Sequence, residues 1–412
     1  MGDATVTDLP AVGEMIANQQ ASKATSYSGE QEKILSDAAL AEAVCTISAW
    51  PGYAVTPLVS LPDIAARAGI ASVHYKDESN RFGLGSFKAL GGAYAVAQLL
   101  RRRIAEEKKI ALPDMEDILG GAHADVTGKI TVCCATDGNH GRSVAWGART
   151  FGCNCTIFIH ATVSEGRKQA IEAYGATVIR TRGNYDDSVR EAQRMADENG
   201  WYVVSDTSYP GYTEIPKFVM QGYEVMAREA DEALAAPPTH IFIQTGVGGL
   251  AAAVGAYFKR RYGADRPVLV LADPVNSACW IESYRAGKPT AVGGDLDTIM
   301  AGLACGEVSL NAWNILKDHG DAAVAVADQA AIDLMRDLAR ASEHSPVVAG
   351  ESAVAGLAAL LSVAGDETQR ATLSLGADAR VLVFGTEGDT DPELYAELVG
   401  RSSAEVRKGV VR

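Results

Sequence analysis

The sequence is short of several things, and each shortage removes a class of function. Basic residues are outnumbered, 37 Lys and Arg against 52 Asp and Glu, which leaves a net charge of −15. A chain with that balance does not build the Lys/Arg surface that a phosphate backbone or an anionic bilayer attracts, so neither nucleic acid nor a membrane is expected as a partner. No apolar run reaches the roughly 20 residues that a membrane-spanning helix needs. The opening stretch has no basic n-region or apolar h-region, and Val6 stands where a myristoylation signal carries Ser or Thr. The cysteines are seven, an odd number, and their spacing suits no metal: Cys133 and Cys134 are adjacent, and Cys153 and Cys155 are one residue apart. The seven histidines are scattered and form no His-Glu-x-x-His pair. Free thiols, no metal and a cytoplasmic setting are therefore expected. There is no repeat of fixed period and no concentrated linker.

What is present is a long alternation of strands and helices. The chain has 412 residues, 47% of them hydrophobic and 22% charged, enough for more than one large core. Residues 1–35 are polar and irregular and read as an arm. Short β-branched runs at 71–77, 130–135, 155–159, 177–180, 201–205, 240–244, 268–272, 322–327 and 381–384 alternate with helical patterns, the arrangement of right-handed βαβ units around parallel sheets. Two such series meet near residue 210. This predicts an α/β protein of two domains with a cleft between them, an N-terminal arm over 1–35, a large domain over 36–88 and 213–412, and a small one over 89–212.

Four stretches lie where such a fold puts its ligands, between a strand end and a helix start. The first, Ser79 to Tyr94, places Lys88 in a glycine-rich bend before a helical pattern. A lysine buried beside a helix N-terminus is expected to have a lowered pKa and to serve as an amine nucleophile. A solvated loop lysine is the plainer alternative. The second, Ala135 to Gly141, holds Asp137 and Asn139, more polar groups than an Asx turn and N-cap need. In the third, Thr245 to Leu250, the glycines at 246, 248 and 249 leave backbone N–H groups free to close on one phosphate. It lacks the spacing of a Rossmann fingerprint and the lysine of a P-loop, and a tight strand–helix turn explains it as well. The fourth, Phe384 to Asp391, offers the neutral hydroxyl of Thr386, while Asp389 or Asp391 reads as the cap of the next helix.

Taken together, these stretches resemble the fold type II pyridoxal-phosphate enzymes, the tryptophan synthase β family. The likeness narrows further over residues 75–395. Lys76-Asp-Glu-Ser, Ser86-Phe-Lys-Ala-Leu-Gly-Gly, Thr136-Asp-Gly-Asn-His-Gly-Arg, Gly211-Tyr-Thr-Glu-Ile-Pro, Thr298-Ile-Met-Ala-Gly-Leu-Ala-Cys-Gly-Glu and Gly385-Thr-Glu-Gly look like the diaminopropionate ammonia-lyase family. Asp137 is its specific mark, since sister dehydratases carry a small residue there.

The resemblance implies pyridoxal 5'-phosphate as cofactor, held covalently by Lys88. It implies Asn139 on the ring hydroxyl, Gly246, Val247, Gly248, Gly249 and Leu250 around the phosphate, and Thr386 on the ring nitrogen. Lys88, Asp137 and Asp206 would be the catalytic groups in an α,β-elimination of D- and L-2,3-diaminopropionate to pyruvate and two ammonia. A homodimer is implied in the same way. The chain departs from the family at Ser208-Tyr209-Pro210, where Ala-Trp-Glu is expected, which leaves the preferred isomer open. The alternatives are a β-eliminating dehydratase acting on serine, threonine or another 3-substituted alanine, and a catalytically silent ligand sensor. Cys279 and Cys305 are expected to approach each other near the cleft mouth, with two separate thiols favoured over a disulfide.

Overall fold

In a computed structural model, residues 9–11, 13–136, 138–183, 185–340 and 346–409 are described. Their eleven strands are β1 (Met15–Ala17), β2 (Leu58–Ser60), β3 (Ser72–Asp77), β4 (Thr131–Ala135), β5 (Asn154–Ile159), β6 (Thr177–Arg180), β7 (Tyr202–Val203), β8 (His240–Gln244), β9 (Val268–Pro274), β10 (Ala322–Val326) and β11 (Arg380–Gly385). They form a seven-stranded sheet of order β1-β10-β9-β8-β11-β3-β2 and a four-stranded sheet of order β6-β5-β4-β7. The smaller sheet is wholly parallel. The larger is parallel through its five inner strands, with antiparallel strands at both edges.

Period-two alternation explains why the inner strands are almost wholly apolar. Ile241 and Ile243, Leu269 and Leu271, and Leu382 and Phe384 enter one core. Phe242, Val270 and Ala272, and Val381 and Val383 point the other way into a second. Each strand thus feeds both faces of its sheet, as expected of parallel strands covered by helices. A fully buried Leu, Ile or Phe contributes about 1.5–3 kcal/mol by leaving water.

Two helices beside the lysine loop, Ala89–Lys108 and Glu214–Ala233, pack closer than side chains would permit. A Cβ on Gly222 would lie 1.8 Å from the Leu90 carbonyl oxygen, and one on Gly91 would lie 2.4 Å from the Tyr223 ring. The glycines after Lys88 are therefore packing residues: Gly91 admits Tyr223 and Gly92 admits Ser143.

Two expectations need correction. The arm over 1–35 is not detached: Met15–Ala17 pairs antiparallel with β10, and the Asn18 amide donates to the Lys317 and Gly320 carbonyls at 2.9 and 2.8 Å. A three-residue edge strand is too short to show periodicity, and its partner lies some three hundred positions away. Residues 111–128, between the lysine-loop helix and β4, include the short helices Met115–Leu119 and Ala124–Thr127. The strand expected over 201–205 keeps only Tyr202 and Val203. Asn184, the expected start of a helix, lies outside the described residues, and the helix there spans Tyr185–Asn199.

Candidate active site

Strands β3, β8 and β11 are parallel neighbours, so the segments leaving them emerge on one edge of the large sheet. The lysine loop follows β3. Its base is a buried polar network in which Lys76 Nζ donates to Glu229 Oε2 at 2.7 Å and to the Thr56 carbonyl at 2.7 Å. Arg81 donates to both Glu78 oxygens at 2.8 Å and to Glu229 at 2.6 Å. Two cations and two carboxylates are matched and saturated, so the network fixes the loop's course; removing one member would strand a buried charge at a cost of about 3–5 kcal/mol. The loop then runs beside the segment after β11. Ser86 bridges Glu387, and the Phe87 N–H donates to the Thr386 carbonyl at 3.0 Å.

Lys88 occupies the N-cap position of the Ala89–Lys108 helix. Its ammonium donates to Asp206 Oδ2 at 2.7 Å and lies 5.4 and 5.9 Å from the Phe87 and Tyr223 ring centroids. The expected depression of its pKa is not found. Burial acts to lower it, but the Asp206 carboxylate outweighs burial and holds the amine well above the usual lysine range. Burial likewise acts to raise the Asp206 carboxyl, and Lys88 with His140 holds it far below the usual carboxylate range. His140 Nδ1 lies 3.9 Å from Asp206 Oδ2, and its Nε2 faces the Val204 carbonyl at 2.8 Å. A carbonyl only accepts, so that nitrogen carries the proton.

The glycine loop lies against the same pair, since a Cβ on Gly249 would come within 3.8 Å of the Asp206 carbonyl oxygen. Gly246, Val247 and Gly248 join β8 to the Gly249–Tyr262 helix, whose first turn includes Leu250. Gly248 has φ +96°, and a Cβ there would stand 2.1 Å from Trp280 Cζ2. Trp280 backs the loop and donates Nε1–H to the Gly246 carbonyl at 3.0 Å. Asp273 anchors Trp280 in turn, accepting from its N–H at 2.8 Å and from the Thr245 hydroxyl. Gly248→Ala should cost about 2–5 kcal/mol, from the left-handed backbone and overpacking against Trp280 together. Thermal unfolding and equilibrium dialysis of cofactor both read this loss.

On the other side of the site, the Gly138 N–H donates to Thr136 Oγ1 at 3.0 Å, and the Asn139–Phe151 helix starts directly after. The Asn139 amide donates to Glu387 Oε2. Glu387 Oε1 accepts from the Ser352 N–H at 3.0 Å. Asp137 lies outside the described residues. Asp391, not Asp389, caps the next helix, accepting from the Leu394 N–H at 3.3 Å, while Asp389 pairs with Arg407. Both Cys279 and Cys305 border Gly246, and no disulfide joins them or the other five cysteines.

Glu351, beside Ser352, is buried, and its closest ionic partner is Arg167 at 3.5 Å. Burial first, and the nearby Glu387 carboxylate second, push its carboxyl up to about 8 from an ordinary 4.5. Between those values the folded protein keeps a proton that the unfolded chain has released. Stability must therefore fall as pH rises through that window, at up to about 1.4 kcal/mol per pH unit. Glu351→Gln should flatten the fall in Tm between pH 5 and 8. An unchanged slope would assign it to other carboxyls.

The residues fit an aldehyde cofactor bearing one phosphate. A lysine and a carboxylate lie beside a loop whose N–H groups begin a helix and whose space is kept open by glycine. The chain belongs to the pyridoxal-phosphate dependent enzymes, whose family signature matches residues 49–386. Within that family it stands among the diaminopropionate ammonia-lyases. It is 38% identical over 370 residues to diaminopropionate ammonia-lyase of Salmonella typhimurium, covering 86% of this chain and 90% of the relative. It is 39% identical over 356 residues to that of Escherichia coli, covering 84% and 88%. The E. coli holo structure superposes with a TM-score of 0.83 at 36% identity, over 95% of this chain and 98% of that one. The same enzyme with an aminoacrylate-PLP azomethine reaction intermediate superposes at 0.80, with 35% identity over 95% and 98%. Sequence reasoning missed Tyr223, Gln244, Trp280, Glu387 and the pairing of Lys88 with Asp206. Gln244, Trp280 and Glu387 each adjoin a residue already singled out, at Thr245, Cys279 and Thr386.

Proposed function

We propose that this chain eliminates ammonia from D- and L-2,3-diaminopropionate, using pyridoxal 5'-phosphate, and releases pyruvate and a second ammonia. The observation that carries this reading is the Lys88–Asp206 ion pair lying against the glycine loop. When bound, the cofactor supplies an electron sink that makes the substrate Cα–H acidic. The rest falls to the chain's own groups. Glycines 246, 248 and 249 with Val247 and Leu250 hold the phosphate through backbone N–H groups at the helix N-terminus. Asn139 holds the ring hydroxyl and Thr386 the ring nitrogen. Lys88 anchors the cofactor covalently and, once displaced by substrate, takes the Cα proton of one isomer. Asp206, in contact with Lys88, orients the amine, and as a carboxylate it keeps the departing β-amine protonated. Asp137 is assigned the opposite-face base by family likeness.

The division into a large domain over 36–88 and 213–412 and a small one over 89–212 belongs to the same reading. It is supported by the smaller sheet drawing only on residues 131–203. A homodimer and a cytoplasmic location complete it; no helix among the described residues is long and apolar enough to cross a membrane.

A pyruvate assay over D- and L-diaminopropionate, D- and L-serine and threonine tests the proposal. Turnover of diaminopropionate above the hydroxy amino acids is expected. D-serine is the informative competitor, since the E. coli enzyme has been solved with it bound. Preference for serine or threonine would recast the chain as a dehydratase, and no turnover with bound cofactor would leave a silent binder.

A further inference from the structure

The end of β8 bears a side chain with an unusual hydrogen-bond record. Gln244 is buried, and its Nε2 donates to the Phe384 carbonyl at 2.8 Å and to Thr386 Oγ1 at 2.7 Å. Its Oε1 is buried without a partner among the described residues. Turning the amide over would not repair this, because the Phe384 carbonyl only accepts and would then face an oxygen. The nitrogen must therefore face that carbonyl, and the same nitrogen meets Thr386. Both amide hydrogens are spent and the oxygen is left over. A buried acceptor left unmatched is costly, so the arrangement needs a reason.

The consequence falls on Thr386. Its hydroxyl oxygen receives a hydrogen from Gln244, so the hydroxyl's own hydrogen must point elsewhere. The Thr386 hydroxyl has no acceptor among the described residues. The Thr386 carbonyl is already tied to the Phe87 N–H at 3.0 Å, one residue before Lys88, so this hydroxyl lies alongside the lysine loop.

We propose that Gln244 is a positioning residue that fixes the Thr386 hydroxyl as a donor toward the cofactor's ring nitrogen. This rests on the reading that Thr386 faces that nitrogen. A donor there occupies the nitrogen's lone pair without handing over a proton. Were Thr386 free to rotate, it could equally accept from a protonated nitrogen, and the ring would draw electrons more strongly. Gln244 removes that choice.

Reconstitution with ring-15N pyridoxal phosphate tests this by the nitrogen's NMR shift. The parent should show an unprotonated, hydrogen-bonded pyridine that moves downfield, toward free pyridine, in Thr386→Val. Gln244→Met should move it the same way and weaken cofactor binding about 2- to 10-fold, the loss of one neutral hydrogen bond. Gln244→Met added to Thr386→Val should shift the resonance no further, because Gln244 acts only through Thr386. If Gln244→Met does not fold, Gln244→Glu keeps the size; its carboxylate accepts from Thr386 and should give the same downfield move. An unchanged resonance in the Gln244 variants, with Thr386→Val still effective, overturns the role of Gln244 alone. A protonated nitrogen in the parent, or no response to Thr386→Val, overturns the placement of Thr386 itself.

Discussion

Lys88→Ala should yield a folded protein that binds pyridoxal phosphate only non-covalently and has lost about 10⁴-fold or more in pyruvate formation, the upper end of what general acid–base catalysis contributes. The variant removes the proposed attachment amine and the partner of Asp206 at once. With no ammonium beside it, Asp206 keeps only His140 against burial, so its carboxyl should move upward from its depressed position. Loss of activity alone would not separate attachment from proton transfer. Borohydride reduction followed by peptide mapping does. A pyridoxyl-lysine peptide containing residue 88 is expected in the parent and no lysine adduct in the variant. An adduct at another lysine in Lys88→Ala would move the attachment point and refute the assignment.

How much of this was legible beforehand depends on how far apart in the chain the interacting groups are. Glycine loops and polar residues at strand ends are local features, so the stretches around Lys88, Asn139, Gly246–Gly249 and Thr386 stand out in the sequence itself. The strands are equally visible, because an inner parallel strand is a short, wholly apolar run. What escapes is whatever needs a second segment. The counter-ion that reverses the expected pKa of Lys88 is 118 positions away. Gln244 looks like the last residue of a buried strand until Thr386, 142 positions on, is seen to take its hydrogen. Trp280 follows a cysteine with no glycine in sight, and only its contacts with Gly246 and Gly248 across the fold reveal that it shapes the glycine loop. The glycines after Lys88 were part of a motif with no evident purpose. The contacts of Gly91 with Tyr223 and of Gly92 with Ser143 show that they are there to admit neighbours.

The two aspartates of the proposed site should separate when each is replaced by asparagine and the isomers of diaminopropionate are assayed apart. The Cα–H bond that breaks must stand perpendicular to a flat ring, so D and L substrates held by the same contacts present their hydrogens to opposite faces. Lys88 approaches from one face only, and by family likeness it serves the L isomer. Asp206 touches Lys88 at 2.7 Å, so its loss should slow both isomers, because on the proposed reading it orients the lysine and keeps the departing amine protonated whichever substrate is present. Asp137 has a different expected signature. It follows Thr136, whose hydroxyl accepts from the Gly138 and Gly141 N–H groups at 3.0 and 3.2 Å, which pins the chain on either side of it. As the base on the face away from Lys88, its replacement by Asn should cut turnover of D-diaminopropionate by roughly 10²–10⁴-fold. The L isomer should lose far less. Solvent deuterium exchange at Cα provides an independent reading, with exchange into the D isomer suppressed in Asp137→Asn and exchange into the L isomer retained. Equal losses on both isomers would make Asp137 a ligand of the cofactor or of the departing amine, and the D-face proton would need another base.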